Sequence, residues 1–149
     1  MSEHHAHIVW QRTSDDFSYG SYTRDHEWRF PGGVTMAASA APGFLGTAER
    51  VDPEEAFVAA LSSCHMLTFL AIASRKRMPV ASYTDEAVGT LEKNADGKLA
   101  ITRVVLRPRV VFDGERQPSD AQLARMHATA HAECFVANSV RTEVQVDPS

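Results

Sequence analysis

The spacing of hydrophobic and polar positions changes along the chain, and the changes mark its elements. His7 to Arg12 (HIVWQR) and Tyr22 to Phe30 (YTRDHEWRF) are β-prone runs separated by a polar loop. In the second run Tyr22, Arg24, His26, Trp28 and Phe30 fall on one face of a predicted strand, with Thr23, Asp25, Glu27 and Arg29 on the other. Arg24 and His26 therefore point the same way as two large aromatics, which calls for a partner. Pro31 to Gly33 form a turn into a third predicted strand, Val34 to Ala38, and Ser39 to Arg50 reads as a loop. Val51 to Arg77 (VDPEEAFVAALSSCHMLTFLAIASRKR) then predicts one long helix. Asp52 caps it, Pro53 suits its first turn, Glu54 and Glu55 favour its positive end and Arg75 to Arg77 its negative end, and Pro79 blocks continuation. It is apolar on nearly every side, so it belongs in a core or an interface.

After Pro79 the period becomes two. Ser82 to Lys93 and Leu99 to Phe112 read as strands joined by a hairpin turn over Asn94 to Gly97, with Pro108 implying an edge or a bulge. Ser119 with Gln122 makes a capping box for a surface helix over Ala121 to Ala132, Cys134 falls just past it, and Val140 to Val146 alternates as a last strand. The order is three strands, a buried helix, two strands, a surface helix and one strand, an α+β fold without internal repeats. One sheet covers only one side of an all-apolar helix, so a partner subunit with two-fold symmetry is expected to cover the other.

The 149 residues fit a single domain, with residues 1–6 as a disordered tail, and the formal net charge of −4 argues against nucleic acid and anionic membrane surfaces as partners. The start, MSEHHAHIVW, has no basic stretch leading into an apolar run, so the expectation is a cytoplasmic, thiol-reducing location. The long helix approaches membrane-spanning length, but Ser62, Ser63, Cys64 and His65 interrupt its centre, and it reads as a core helix. That setting changes the meaning of the two cysteines. In reducing compartments paired cysteines are transient, catalytic or redox-sensing rather than structural staples.

Three kinds of chemistry remain open on the residues alone. A thiol redox centre would use Cys64 and Cys134, with Arg24 or Arg29 lowering the thiol pKa and Glu54 holding the cation. Ten residues of straight helix separate Glu54 from Cys64 by about 15 Å, so the two share a site only if the helix begins after Glu54 or a cation bridges them. A metal site would use His127, His131 and Cys134, spaced i, i+4, i+7, with His65 or Cys64 completing it; His4, His5 and His7 belong to the tail. A small-ligand or purely structural role would use only the apolar helix.

The stretch DPEEAFVAALSSCHMLTFLAIASRKR, with Asp-Pro-Glu opening it, a Cys ten residues after Glu54 and a basic end, resembles the OsmC/Ohr family of osmotically inducible and organic hydroperoxide resistance proteins. SYTDEA, the hairpin, the capped helix, Cys134 and Asn138 agree in order and spacing. The resemblance implies an OsmC-like fold, with antiparallel sheets around long buried central helices in an intertwined homodimer. It also implies an organic hydroperoxide peroxidase without flavin, haem or metal, reduced by a dithiol, lipoyl-type in the better-known branch. Cys64 would be the nucleophile, Cys134 the resolving thiol, and Glu54 and Arg24 the activating pair. Beside these, His26, Trp28 and His65 are this reading's own candidates for substrate contacts. The alternative is a catalytically silent member that binds a small ligand or senses redox state.

Overall fold

The computed structural model describes residues 1–149. The fold is α+β, and the chain divides into two compact units, Met1–Ala56 and Phe57–Ser149. The first unit is an antiparallel sheet of β1 (His7–Val9), β2 (His26–Arg29) and β3 (Thr35–Ala38), with β2 in the middle and Trp28 lying between Ile8 and Met36.

β2 is shorter than its alternation predicts, and Arg24 lies outside it. Local polar bonds explain the difference. The Arg24 guanidinium donates to the carbonyls of Tyr19 and Tyr22 and lies over the Tyr22 ring at 3.7 Å. Asp25 accepts from Ser39 Oγ at 2.9 Å and Thr47 Oγ1 at 2.7 Å and pairs with Arg50 at 3.2 Å, which ties the loop before α1 to the start of β2. Those hydroxyl bonds, with Arg50 and His26 adding to them, hold the Asp25 carboxyl below its usual range.

α1 (Pro53–Arg75) begins where its sequence signals put it. Asp52 Oδ1 accepts from the Glu55 N–H at 2.7 Å while the Glu55 side chain accepts from the Asp52 N–H at 3.2 Å, a reciprocal cap. The far end closes through Arg77 in the left-handed region, φ 56. Its N–H reaches Ser74 O and the Met78 N–H reaches Ala73 O, which satisfies carbonyls the helix leaves free. One stripe, Leu61, His65, Phe69 and Ala73, is buried at four-residue spacing. The opposite stripe of Ala60, Ser63, Leu67 and Ala71 stays exposed within the chain, Leu67 to 61 %.

The two long strands predicted after Pro79 each break in two. β4 (Val80–Asp85) pairs antiparallel with β7 (Pro108–Phe112), while β5 (Val88–Lys93) pairs antiparallel with β6 (Leu99–Leu106) in a separate sheet. The break falls at Arg107, whose N–H goes to Asp85 Oδ1 at 2.6 Å, next to Pro108, which has no N–H to give a ladder. The hairpin turn forms as expected, with Asn94 Oδ1 accepting from the N–H groups of Asp96 and Lys98 and with Gly97 at φ 73. β8 (Glu143–Val146) joins β6 in parallel.

α2 (Asp120–Glu133) starts in the capping box of Ser119 and Gln122. It is not the surface helix expected, because Met126, His127 and Ala130 are buried. Met126 and Ala130 pack with Phe69, Ala73 and Met78 in one core cluster. A second cluster, centred on Leu61, Val104 and Leu106, secures α1 to β6.

Candidate dithiol site

Cys64 sits midway along α1 and Cys134 at the end of α2, seventy positions later (64 to 134), yet the Cys64 side chain lies close enough to Cys134 to act on its ionisation. The proximity follows from how α2 lies on α1. Phe69 stacks on His127 at 4.4 Å, His65 reaches the same His127, and Cys64 lies near Cys134, so advancing along α1 corresponds to retreating along α2. Cys134 is 1 % exposed and Cys64 is partly exposed; both are free thiols.

The two sulfurs are not equivalent. Burial pushes the Cys134 thiol up, and the neighbouring Cys64 side chain pushes it further; the N–H groups of Ala137, 3.4 Å from Sγ, and Val136 oppose this. The C-terminal end of α2 also disfavours negative charge at Cys134. Cys134 is therefore the thiol that holds its proton, and Cys64 is the sulfur that solvent and a substrate can reach.

The other expected site residues are placed as follows. Glu54 is in the first turn of α1, which begins ahead of it, so about 15 Å of helix rise lies between it and Cys64. Arg24 makes no ion pair with Glu54; in that unit Arg50 pairs with Asp25 and Arg29 with Glu27. His26 and Trp28 share a face of β2. Trp28 Nε1, a donor only, gives its hydrogen to His26 Nε2 at 2.8 Å, so the other ring nitrogen, Nδ1, carries the proton and donates to the Arg24 carbonyl at 2.8 Å.

His65 is 1 % exposed and faces α2. Its Nε2 lies 3.1 Å from His127 Nδ1, with the rings parallel within 5°. Both rings are pushed down from 6.5 to about 4, His65 by burial and then by His127 and His131, His127 by burial, with the Asp85 charge opposing in each. Both are neutral at pH 7. His127 is thus engaged with His65, and His127, His131 and Cys134 do not converge as a metal-ligand set.

Asp85 has no role in the sequence reading, and His127 enters it only as a candidate metal ligand. Asp85 accepts from Ser62 Oγ at 2.5 Å as well as from Arg107, so it links α1, two residues from Cys64, to the β6–β7 corner. The sequence puts His127 on a surface helix, whereas it is buried. Its place in the run Leu123, Met126, Ala130, Cys134, an apolar stripe at helical spacing, is the signal that marks it as inward.

The chain belongs to the OsmC-like protein family, whose model matches residues 46–149. It is 53 % identical to an OsmC-like protein of unknown function from Vibrio cholerae, over 100 % of both chains with a TM-score of 0.97. The organic hydroperoxide resistance protein OhrB of Bacillus subtilis has the same fold at 16 % identity, 97 % of this chain, 98 % of that chain and a TM-score of 0.68. An organic hydroperoxide resistance protein from Legionella pneumophila does so at 14 %, 100 %, 98 % and 0.69. No curated protein matches the chain.

Proposed function

We propose that the protein is a cysteine-based peroxidase that reduces organic hydroperoxides. The observation that carries the reading is the proximity of Cys64 and Cys134, two free thiols of unequal character that lie seventy positions apart in the second unit. The Cys64 thiolate attacks the hydroperoxide, the O–O bond breaks, and the alkoxide takes a proton and leaves as an alcohol, with Cys64 left as a sulfenic acid. The Cys134 sulfur then attacks the Cys64 sulfur. Hydroxide leaves with the proton Cys134 gives up, as water, and a disulfide remains. A dithiol, of lipoyl type, takes the disulfide back to two thiols in the reducing cytoplasm, and no cofactor enters the cycle.

The proposal includes Arg24 as the cation for Cys64, Glu54 as its orienting carboxylate and His26 and Trp28 as substrate contacts, in a homodimer. The exposed Ala60, Ser63, Leu67 and Ala71 stripe of α1 supports the dimer, since a partner helix would cover it. His65, bonded to His127 in the core, holds α1 and α2 together instead of contacting substrate. Steady-state peroxide consumption with a dithiol donor tests the reading. Cumene hydroperoxide should be consumed with higher kcat/KM than hydrogen peroxide, Cys64→Ser should abolish turnover, and Arg24→Gln should slow it at least tenfold. Equal turnover by Cys64→Ser and the unaltered protein would overturn the reading.

A further inference from the structure

We infer that His65 and His127 are positioning residues: their ring-to-ring bond fixes the register of α2 on α1 that brings Cys134 to Cys64. The inference rests on the same two cysteines as the proposed peroxidase and adds residues that touch neither substrate nor sulfur.

The pair is a directional contact in a seam that is largely apolar farther along. On α1, His65 and Phe69 stand one turn apart and receive His127 between them, His65 through the 3.1 Å nitrogen-to-nitrogen bond and Phe69 through ring stacking at 4.4 Å. Farther along the seam the contacts are made by Ala73, Met78, Met126 and Ala130. Alanine presents little relief, and methionine adapts its shape to what it meets. Burial of such surface is non-directional, so these residues hold the helices together without strongly choosing one alignment. A slip of α2 by one turn moves it about 5.4 Å, which breaks the His65–His127 bond and carries Cys134 out of reach of Cys64.

The chemistry of the bond sharpens this. Two neutral imidazoles bond only when one presents N–H and the other a bare nitrogen pointing at it, and here the two ring planes lie within 5° of parallel. The ring nitrogens facing away, His65 Nδ1 and His127 Nε2, have no protein partner. Two leucines would fill the same space without leaving buried polar atoms unpaired, so packing alone does not account for the pair. Asp85 on β4 and His131 on α2 are the charged or titratable groups that act on it, and Tyr83 on β4 packs on Phe69 beside it.

The effective concentration of one thiol at the other, read from the equilibrium between the Cys64–Cys134 disulfide and dithiothreitol, tests the inference without requiring peroxidase activity. In that exchange oxidised dithiothreitol is reduced as the two protein thiols are oxidised. His127→Leu should shift the equilibrium toward the protein dithiol at least tenfold, about 30 mV in midpoint potential. His127→Asn, which keeps a polar atom near the Nδ1 position, should stay within threefold of the unaltered protein. His65→Leu should match His127→Leu, and the double Leu variant should add nothing to either single change; His65→Leu also stands in should His127→Leu fail to fold. Equilibria equal to that of the unaltered protein in folded Leu variants overturn the inference. Failure of the unaltered protein to react with hydroperoxide, with these shifts present, overturns the peroxidase reading alone.

Discussion

Acid should destabilise this protein in a pH window set by its two buried imidazoles. In the unfolded chain His65 and His127 take up protons near 6.5, in the folded protein only near 4. Above pH 6.5 both states are neutral and the pair contributes nothing to pH dependence. As pH falls below 6.5 the unfolded state gains protons that the folded state refuses, so stability declines until the folded rings titrate near pH 4. At about 1.4 kcal/mol per tenfold in proton affinity, each ring removes about 2 kcal/mol by pH 5 and about 3.4 kcal/mol when the window is complete. The pair together removes about 4 kcal/mol at pH 5, against a typical total of about 5–15 kcal/mol. Asp25 and Asp16 add no loss at pH 5, since their hydroxyl and backbone hydrogen bonds hold them below the ordinary 3.8. Urea unfolding at pH 7.5 and pH 5.0 measures the difference. The His65→Leu, His127→Leu double variant should lose most of it. Equal stability at the two pH values, or an undiminished difference in the double variant, would refute the reasoning.

Two further substitutions probe the packing beneath the site. Phe69 is fully buried between Tyr83 and His127, so Phe69→Ala should cost about 3–5 kcal/mol in chemical denaturation and loosen the approach of Cys134 to Cys64 at the same time. A Cβ at Gly46 would stand 1.6 Å from the Ala40 carbonyl oxygen, a backbone atom that cannot swing away. Gly46→Ala should therefore lower stability by about 2–4 kcal/mol, and an unchanged melting curve would count against the loop geometry around Asp25.

Much of the fold is legible in the sequence because the signals are local. Asp52, Pro53 and the basic end fix α1 to within two residues, Ser119 and Gln122 fix the start of α2, and Asn94 to Gly97 fix the hairpin. What escapes is set by partners distant in sequence. Alternation over Ser82 to Lys93 and Leu99 to Phe112 cannot reveal that Asp85 captures the Arg107 N–H and sends the strand halves into different sheets. Nor does VRTEVQV announce a parallel neighbour, which is β6. Tyr22 to Asp25 have the spacing of a strand but spend their polar groups on carbonyls and hydroxyls nearby. At the site, the cysteines are visible as candidates because the chain has just two. Their proximity, and the His65–His127 bond beside it, depend on the α1–α2 register, which no local pattern encodes.

The central claim, that Cys64 and Cys134 form a redox-active couple, is tested most directly by counting free thiols and weighing the intact reduced protein before and after one equivalent of cumene hydroperoxide. The account predicts loss of both thiols and a mass lower by about two hydrogens, the signature of one intramolecular disulfide. Survival of both thiols at unchanged mass would contradict it and reduce the two cysteines to core residues.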